Sequence, residues 1–335
     1  MDAAVRDGAF NGEGGLIMEQ KNELIAQSNA LTSSRYNFSP TEKNVIYHII
    51  RKVRKDYVEG TMQRDLWNNM YVTIDSADLA KIADADHTER ARKALRDLRH
   101  KDIEIEDENG NWLNVGFINY AKYKAKTKQY EIEVSKEIMP HLVELAKNFT
   151  SYSLTVAISL KSRYSQRFYE LAHQYMRKNS GTFFLDFEVL RTMLKLGDGY
   201  KLKADIKRAV LDVATKELKE LYDNGGCELW LEYYEQGRGT KTRFFFKIHT
   251  REEEAAQQQE AIADLRKMSL YIYQASNRIF RKDPKFRERI QKALDFDPSK
   301  IRPIFDKLTK LEKDVKVAEL PALWRYILKE DFQIN

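Results

Sequence analysis

The chain has 335 residues, 42% of them hydrophobic, which is enough to bury two or three cores of ordinary domain size. Mean hydropathy is −0.63, and no stretch approaches the roughly 20 apolar residues of a membrane-spanning helix, so a soluble chain is expected and a helical membrane protein is excluded. A net charge of +6 favours a polyanionic partner without identifying one, and the single cysteine, Cys227, excludes an intrachain disulfide and a cysteine-built zinc site.

In chain order, residues 1–20 are Gly-rich at their start and lack both a basic opening and a long apolar run. They read as a flexible tail of a cytoplasmic protein. Residues 21–148 read as a first α+β unit. Ser39 is a candidate N-cap with Pro40 in the first turn, and Val45, Ile46, Ile49, Ile50 and Val53 follow at helical spacing. Tyr71-Val72-Thr73-Ile74 predicts a strand. Leu79 and Ile82 predict a short helix over 77–83, and a longer helix is expected over 88–100. Ile103 and Ile105, the Asn109-Gly110 turn signal and the run 112–120 predict a hairpin. A strand over 129–134 and a helix over 137–147, broken early by Pro140, close the unit.

Residues 149–250 repeat this order. An amphipathic helix over 165–177 precedes a strand over 182–187 and a short helix over 188–194, stopped near Gly197 and Gly199. A long helix over 203–222 ends at Asn224-Gly225-Gly226, and strands over 227–234 and 241–248 flank Gln236-Gly237-Arg238-Gly239. Helix, strand, short helix, longer helix and hairpin is the order of a winged helix-turn-helix, and a doubled unit is stronger evidence than either copy alone. The expected fold class is α+β: two tandem winged helices, then a helical region over 251–335. That region reads as a polar helix over 252–259, a more apolar one over 265–280, and short helices punctuated by Pro284, Pro298, Pro303 and Pro321.

The chemistry gathers on the two longer helices. The first carries Arg90, Arg92, Lys93, Arg96, Arg99 and Lys101 against Glu89 and Asp97. Ala91, Ala94, Leu95 and Leu98 share one face, leaving Glu89, Lys93, Arg96 and His100 opposite, with Arg92 beside them. A major groove admits such a helix, and Arg or Lys there pairs with guanine edges or phosphates. A solvated surface helix is the plainer alternative. On the second helix Ile206, Val210, Val213, Ala214 and Leu221 form the apolar face, and Arg208, Asp212, Thr215 and Lys219 lie opposite. Lys201, Lys203 and Lys207 cluster at its N-terminal end, the end that usually enters the groove. Two basic hairpin segments add candidates: Lys122, Lys124, Lys126 and Lys128, which suit either phosphate contact or protection of a strand edge, and Arg238 with Lys241, at a wing tip or a simple turn.

Catalysis has little to stand on. The six histidines, His48, His87, His100, His141, His173 and His249, show no metal-ligand spacing. The glycines at 237 and 239 lack the spacing and context of a phosphate-binding loop. The 18 tyrosines mostly fall on apolar stripes, where core packing is the default. The expectation is a non-enzyme that needs no cofactor.

The stretches described so far resemble the plasmid replication initiators that bind repeated DNA elements called iterons. Leu31-Thr32 with Phe38-Ser39-Pro40-Thr41-Glu42-Lys43 is similar to the family's opening helix. Val134-Ser135-Lys136-Glu137-Ile138-Met139-Pro140-His141-Leu142 with Phe149-Thr150-Ser151-Tyr152 resembles its inter-domain segment. Tyr164-Ser165-Gln166-Arg167-Phe168-Tyr169-Glu170-Leu171 looks like its most recognisable helix, and the stretch holding Ile206-Lys207-Arg208-Ala209-Val210-Leu211 resembles its second recognition helix. The resemblance implies binding to double-stranded origin repeats, opening of a neighbouring A·T-rich segment, recruitment of a host replicative helicase, and a homodimer through the first domain that represses its own gene. A transcriptional regulator on the same tandem body is the alternative.

Overall fold

The computed structural model describes residues 23–80, 87–106, 110–145, 148–314, 316 and 319–334, in two compact units, Met1–His249 and Thr250–Asn335. The expected tail over 1–20, the end of the short helix at Ile82 and Ala83, and Asn109 of the hairpin turn lie outside the described residues.

The opening helix Pro40–Val58 begins as its sequence dictates. Ser39 Oγ accepts from the Glu42 backbone N–H at 3.3 Å, and Glu42 Oε2 accepts from the Ser39 N–H at 2.7 Å, a complete capping box. Its apolar stripe, Val45, Ile46, Ile49, Ile50 and Val53, is fully buried. The stripe packs on a sheet in which Gln129–Val134 is central, flanked antiparallel by Met70–Asp75 and Ile118–Lys124. The single strand expected over 112–120 is in fact two. Trp112–Gly116 pairs with Asp102–Glu106 as a separate two-stranded wing, bridged at Glu104 to Arg35, and Ile118–Lys124 leaves for the larger sheet. Consecutive Phe117 and Ile118 are both buried, which breaks the in-out alternation of one strand and lets the chain change sheets. The helix expected over 137–147 is the shorter Met139–Val143, with Pro140 in its first turn rather than breaking it.

The second winged helix follows its prediction closely. Thr182–Asp186, Phe187–Met193, a helix over 203–223, Leu229–Gln236 and Arg243–Thr250 appear in order, with Arg243–Thr250 in the middle of a three-stranded sheet. The long helix carries a π turn at Lys207–Leu211.

The expected division at 148/149 is not where the chain separates. Two strands absent from the prediction, Leu24–Ser28 and Phe149–Ser153, pair antiparallel with Ile25 opposite Tyr152, and one continuous apolar core runs through both winged helices. A buried polar cluster joins them. Lys43 Nζ lies 2.8 Å from Glu170 Oε1, and the Tyr36 hydroxyl donates to Glu170 Oε2 at 3.0 Å. Arg167 donates to the Tyr36 hydroxyl at 2.6 Å and to the Ser34 carbonyl, and Tyr152 donates to Glu170 at 3.2 Å. Gln166 reaches Asn44 at 2.8 Å. The most recognisable stretch of the sequence is therefore part of the joint between the two winged helices.

The C-terminal unit is helical, as expected, with helices Arg251–Ile279, Pro284–Phe296, Ile301–Asp314 and Leu320–Glu330 around Ile272, Phe286, Ile290, Ile304, Leu308, Trp324 and Leu328. The two helices expected over 252–259 and 265–280 are one, because 260–264 contains neither glycine nor proline to stop it. Among the described residues no helix is long and apolar enough to cross a membrane.

Candidate nucleic-acid interface

The first candidate reading helix is His87–Arg99. Ala91, Ala94, Leu95 and Leu98 are buried, which turns the remaining positions outward. Arg90, Lys93, Arg96 and Arg99 are exposed and form no ion pair among the described residues, and His100 follows, exposed, at the helix end. Such unspent cations are what a phosphate or a guanine edge requires. Arg92 is different: it pairs with Glu89 at 2.6 Å and its guanidinium lies 4.9 Å from the centre of the Tyr123 ring. Arg92, Arg96, Arg99 and His100 border a groove of about 280 Å³ against Tyr120, Ala121, Tyr123 and Tyr130.

The lysine-rich segment divides. Lys122 and Lys124 stand opposite Glu131 and Gln129 in the sheet register. Alternation along the strand puts them on the face away from Tyr123, and therefore away from the reading helix. Lys124 Nζ is 2.5 Å from Glu131 Oε2, and that hydrogen bond is the first cause holding the Glu131 carboxyl below its ordinary range. Lys126 and Lys128 are exposed in the turn beyond, Lys128 at a positive φ of 53°. The four lysines lie, as expected, on and between two strands, here Ile118–Lys124 and Gln129–Val134, whereas the hairpin that follows the helix as its wing is 102–116.

On the second candidate helix, Arg208 is the most available cation, its side chain 81% exposed and paired with Asp205 at 3.1 Å. Lys203 and Lys207 reach back to one carboxylate, Glu235 on the hairpin, at 2.9 and 3.4 Å. The Lys203 hydrogen bond leads in holding the Glu235 carboxyl below its usual range. Both lysines are half-buried and brace helix against wing. Thr215 Oγ1 donates to the Leu211 carbonyl at 2.9 Å, and Lys219 pairs with Asp223 and lies 4.8 Å from the Trp230 ring centre. Lys201 is exposed beside Asp198 at 3.3 Å. Arg238 and Lys241 are exposed at the wing tip and form no ion pair among the described residues. Gly237 shapes that tip: its φ is +94°, and a Cβ there would meet the Lys241 carbonyl oxygen at 2.4 Å. Lys216, which sequence reasoning passed over, is 79% exposed with Glu220 at 3.8 Å. Its spacing of eight residues from Arg208, about two helical turns, was the available signal.

Two exposed cationic helix faces, the first with four cations outside any ion pair among the described residues and the second led by Arg208 in a single surface pair with Asp205, each stand next to a β-hairpin in one compact unit and form a surface suited to duplex DNA. Residues 24–173 match the model described as "Initiator Replication protein, WH1", and residues 186–248 match "Initiator Rep protein, WH2". A curated relative, an uncharacterized 27.6 kDa protein of Escherichia coli, is 26% identical over 208 residues, covering 58% of this chain and 84% of its own length. Among solved structures, the crystal structure of Pi initiator protein in complex with iteron DNA shares the fold at a TM-score of 0.53 with 18% identity, over 69% of this chain and 98% of that one. With both winged-helix models matched in order across most of the first unit, the chain belongs to the replication initiator (Rep) protein family.

Proposed function

We propose that this protein initiates plasmid replication by binding repeated duplex sites at an origin, with helix His87–Arg99 and the helix over 203–223 reading successive major-groove faces of one repeat. The observation that carries this reading is the pair of solvent-facing cationic surfaces, Arg90, Lys93, Arg96 and Arg99 on one helix and Arg208, held only by an exposed pair with Asp205, on the other, joined through the buried Arg167–Glu170 cluster. That joint fixes the separation between helices, so a match in both half-contacts is needed for full affinity. The likeness to a Pi initiator solved on iteron DNA supports the same choice of ligand.

Several copies on an array would bend the duplex and relieve the strain at easily deformed A·T steps. The protein acts in the cytoplasm by binding rather than by catalysis. It pairs with a second copy through the first winged helix when it represses its own gene, and hands the opened strand to a host replicative helicase. Footprinting on the DNA flanking its gene tests the reading. Protection of direct repeats spaced about two helical turns apart, beside an A·T-rich tract, is expected. Protection of a lone inverted repeat, or none at low salt, overturns it.

A further inference from the structure

The C-terminal unit carries a line of cations that the winged helices do not account for. Arg281 and Lys282 lie in the turn after helix Arg251–Ile279. Lys285, Arg289 and Lys292 follow on helix Pro284–Phe296 at i, i+4 and i+7, which places them on one face. All five are exposed, and burial of Phe286, Ile290 and Leu294 fixes which way that face points. Arg281, Lys282 and Lys285 form no ion pair among the described residues. Lys292 pairs with Glu288 at 2.8 Å, both largely exposed, a contact that a competing anion displaces at little cost. Asp283 is committed near the surface: it accepts from Arg325 at 2.7 Å and from the Phe286 N–H at 3.0 Å, and these bonds, with the charge of Arg289 beside them, hold its carboxyl below the ordinary range. Phe296, 92% exposed, ends the same face at i+11 from Lys285.

We propose that this face is a further nucleic-acid contact, which takes backbone phosphates without reading sequence. A row of five exposed cations at helical spacing, with its two interleaved acids, Asp283 and Glu288, already paired, suits the regular charge of a nucleic-acid strand. The exposed ring at its end offers a surface on which an unpaired base can stack. Winged helices on the same chain hold DNA nearby, so even a weak contact acts at high effective concentration. That tethering rests on the function proposed above, whereas the charged face does not.

The test is fluorescence anisotropy of the full chain with duplex and with single-stranded DNA of random sequence, over a series of salt concentrations. The variant combines Lys282→Gln, Lys285→Gln, Arg289→Gln and Lys292→Gln, with circular dichroism to verify an intact fold. Each lost phosphate contact flattens the slope of log K against log salt by about 0.9 for duplex and about 0.7 for single strands. A variant slope shallower by about 2 or more in either arm, with the repeat footprint retained, is the expected result. Phe296→Ala then separates the sources: a loss confined to the single strand identifies unpaired bases as the ligand, and no loss identifies duplex. Equal slopes and affinities for wild type and the fourfold variant in both arms overturn the proposal and leave the face to an acidic protein, with the winged-helix reading untouched. A wild-type chain that binds no nucleic acid sinks both.

Discussion

At the scale of single residues, exposure and pairing separate cations that the sequence treats alike. Arg96 and Arg208 face solvent on the two reading helices, whereas Lys203 and Lys207 are committed to Glu235 and Lys219 to Asp223. Arg96→Ala and Arg208→Ala are each expected to weaken repeat binding by about 1–3 kcal/mol, read by gel shift against a scrambled site. Unchanged affinity in both, with the fold intact, would remove the assignment of these helices. His141 gives a prediction of another kind. Burial holds its imidazole below the ordinary value of 6.5, and its Nδ1 lies 3.0 Å from the Ser28 hydroxyl, which can donate to the neutral ring. Because the folded pKa is depressed, the contribution is complete above about pH 6.5 and is lost as pH falls through the lower folded value. Urea midpoints of wild type should therefore drop more between neutral and acid pH than those of His141→Asn; parallel curves would refute the assignment.

At the scale of elements, local chemistry was legible where it acts through neighbours in sequence. The Ser39-Pro40 start of the opening helix is such a case, since a cap is complete within one turn. Ser39→Ala is expected to lower stability by about 1 kcal/mol, measured by urea denaturation, with Ser39→Asp retaining most of it. The wing of the first unit shows where local reading fails. Strand propensity is continuous over 112–120, yet the chain changes partner strand at Phe117, because the core needs two adjacent side chains buried there. The strands Leu24–Ser28 and Phe149–Ser153 escaped notice for a related reason: each is short, and what stabilises it is the other, more than a hundred residues away.

For the whole molecule, the joint between winged helices decides most. Arg167 and Glu170 are buried almost completely, and each satisfies groups on the first winged helix. Arg167→Met leaves the Ser34 carbonyl and part of the Glu170 charge unanswered in the interior. A loss of about 3–5 kcal/mol in urea unfolding is expected, and a loss under about 1 kcal/mol would show that the cluster contributes little to holding the halves together. By itself the sequence determined the doubled winged-helix order, the apolar stripes of both candidate helices except Val213, which is exposed, and the initiator family, because periodicity, caps and turns act over a few residues and a motif keeps its order. Only the tertiary structure decided which exposed cations stay outside ion pairs among the described residues, that Lys122 and Lys124 look away from helix His87–Arg99, and that the two halves share one core. Those outcomes depend on sheet register and on ion pairs between residues far apart in the chain, and such distances are set by packing alone.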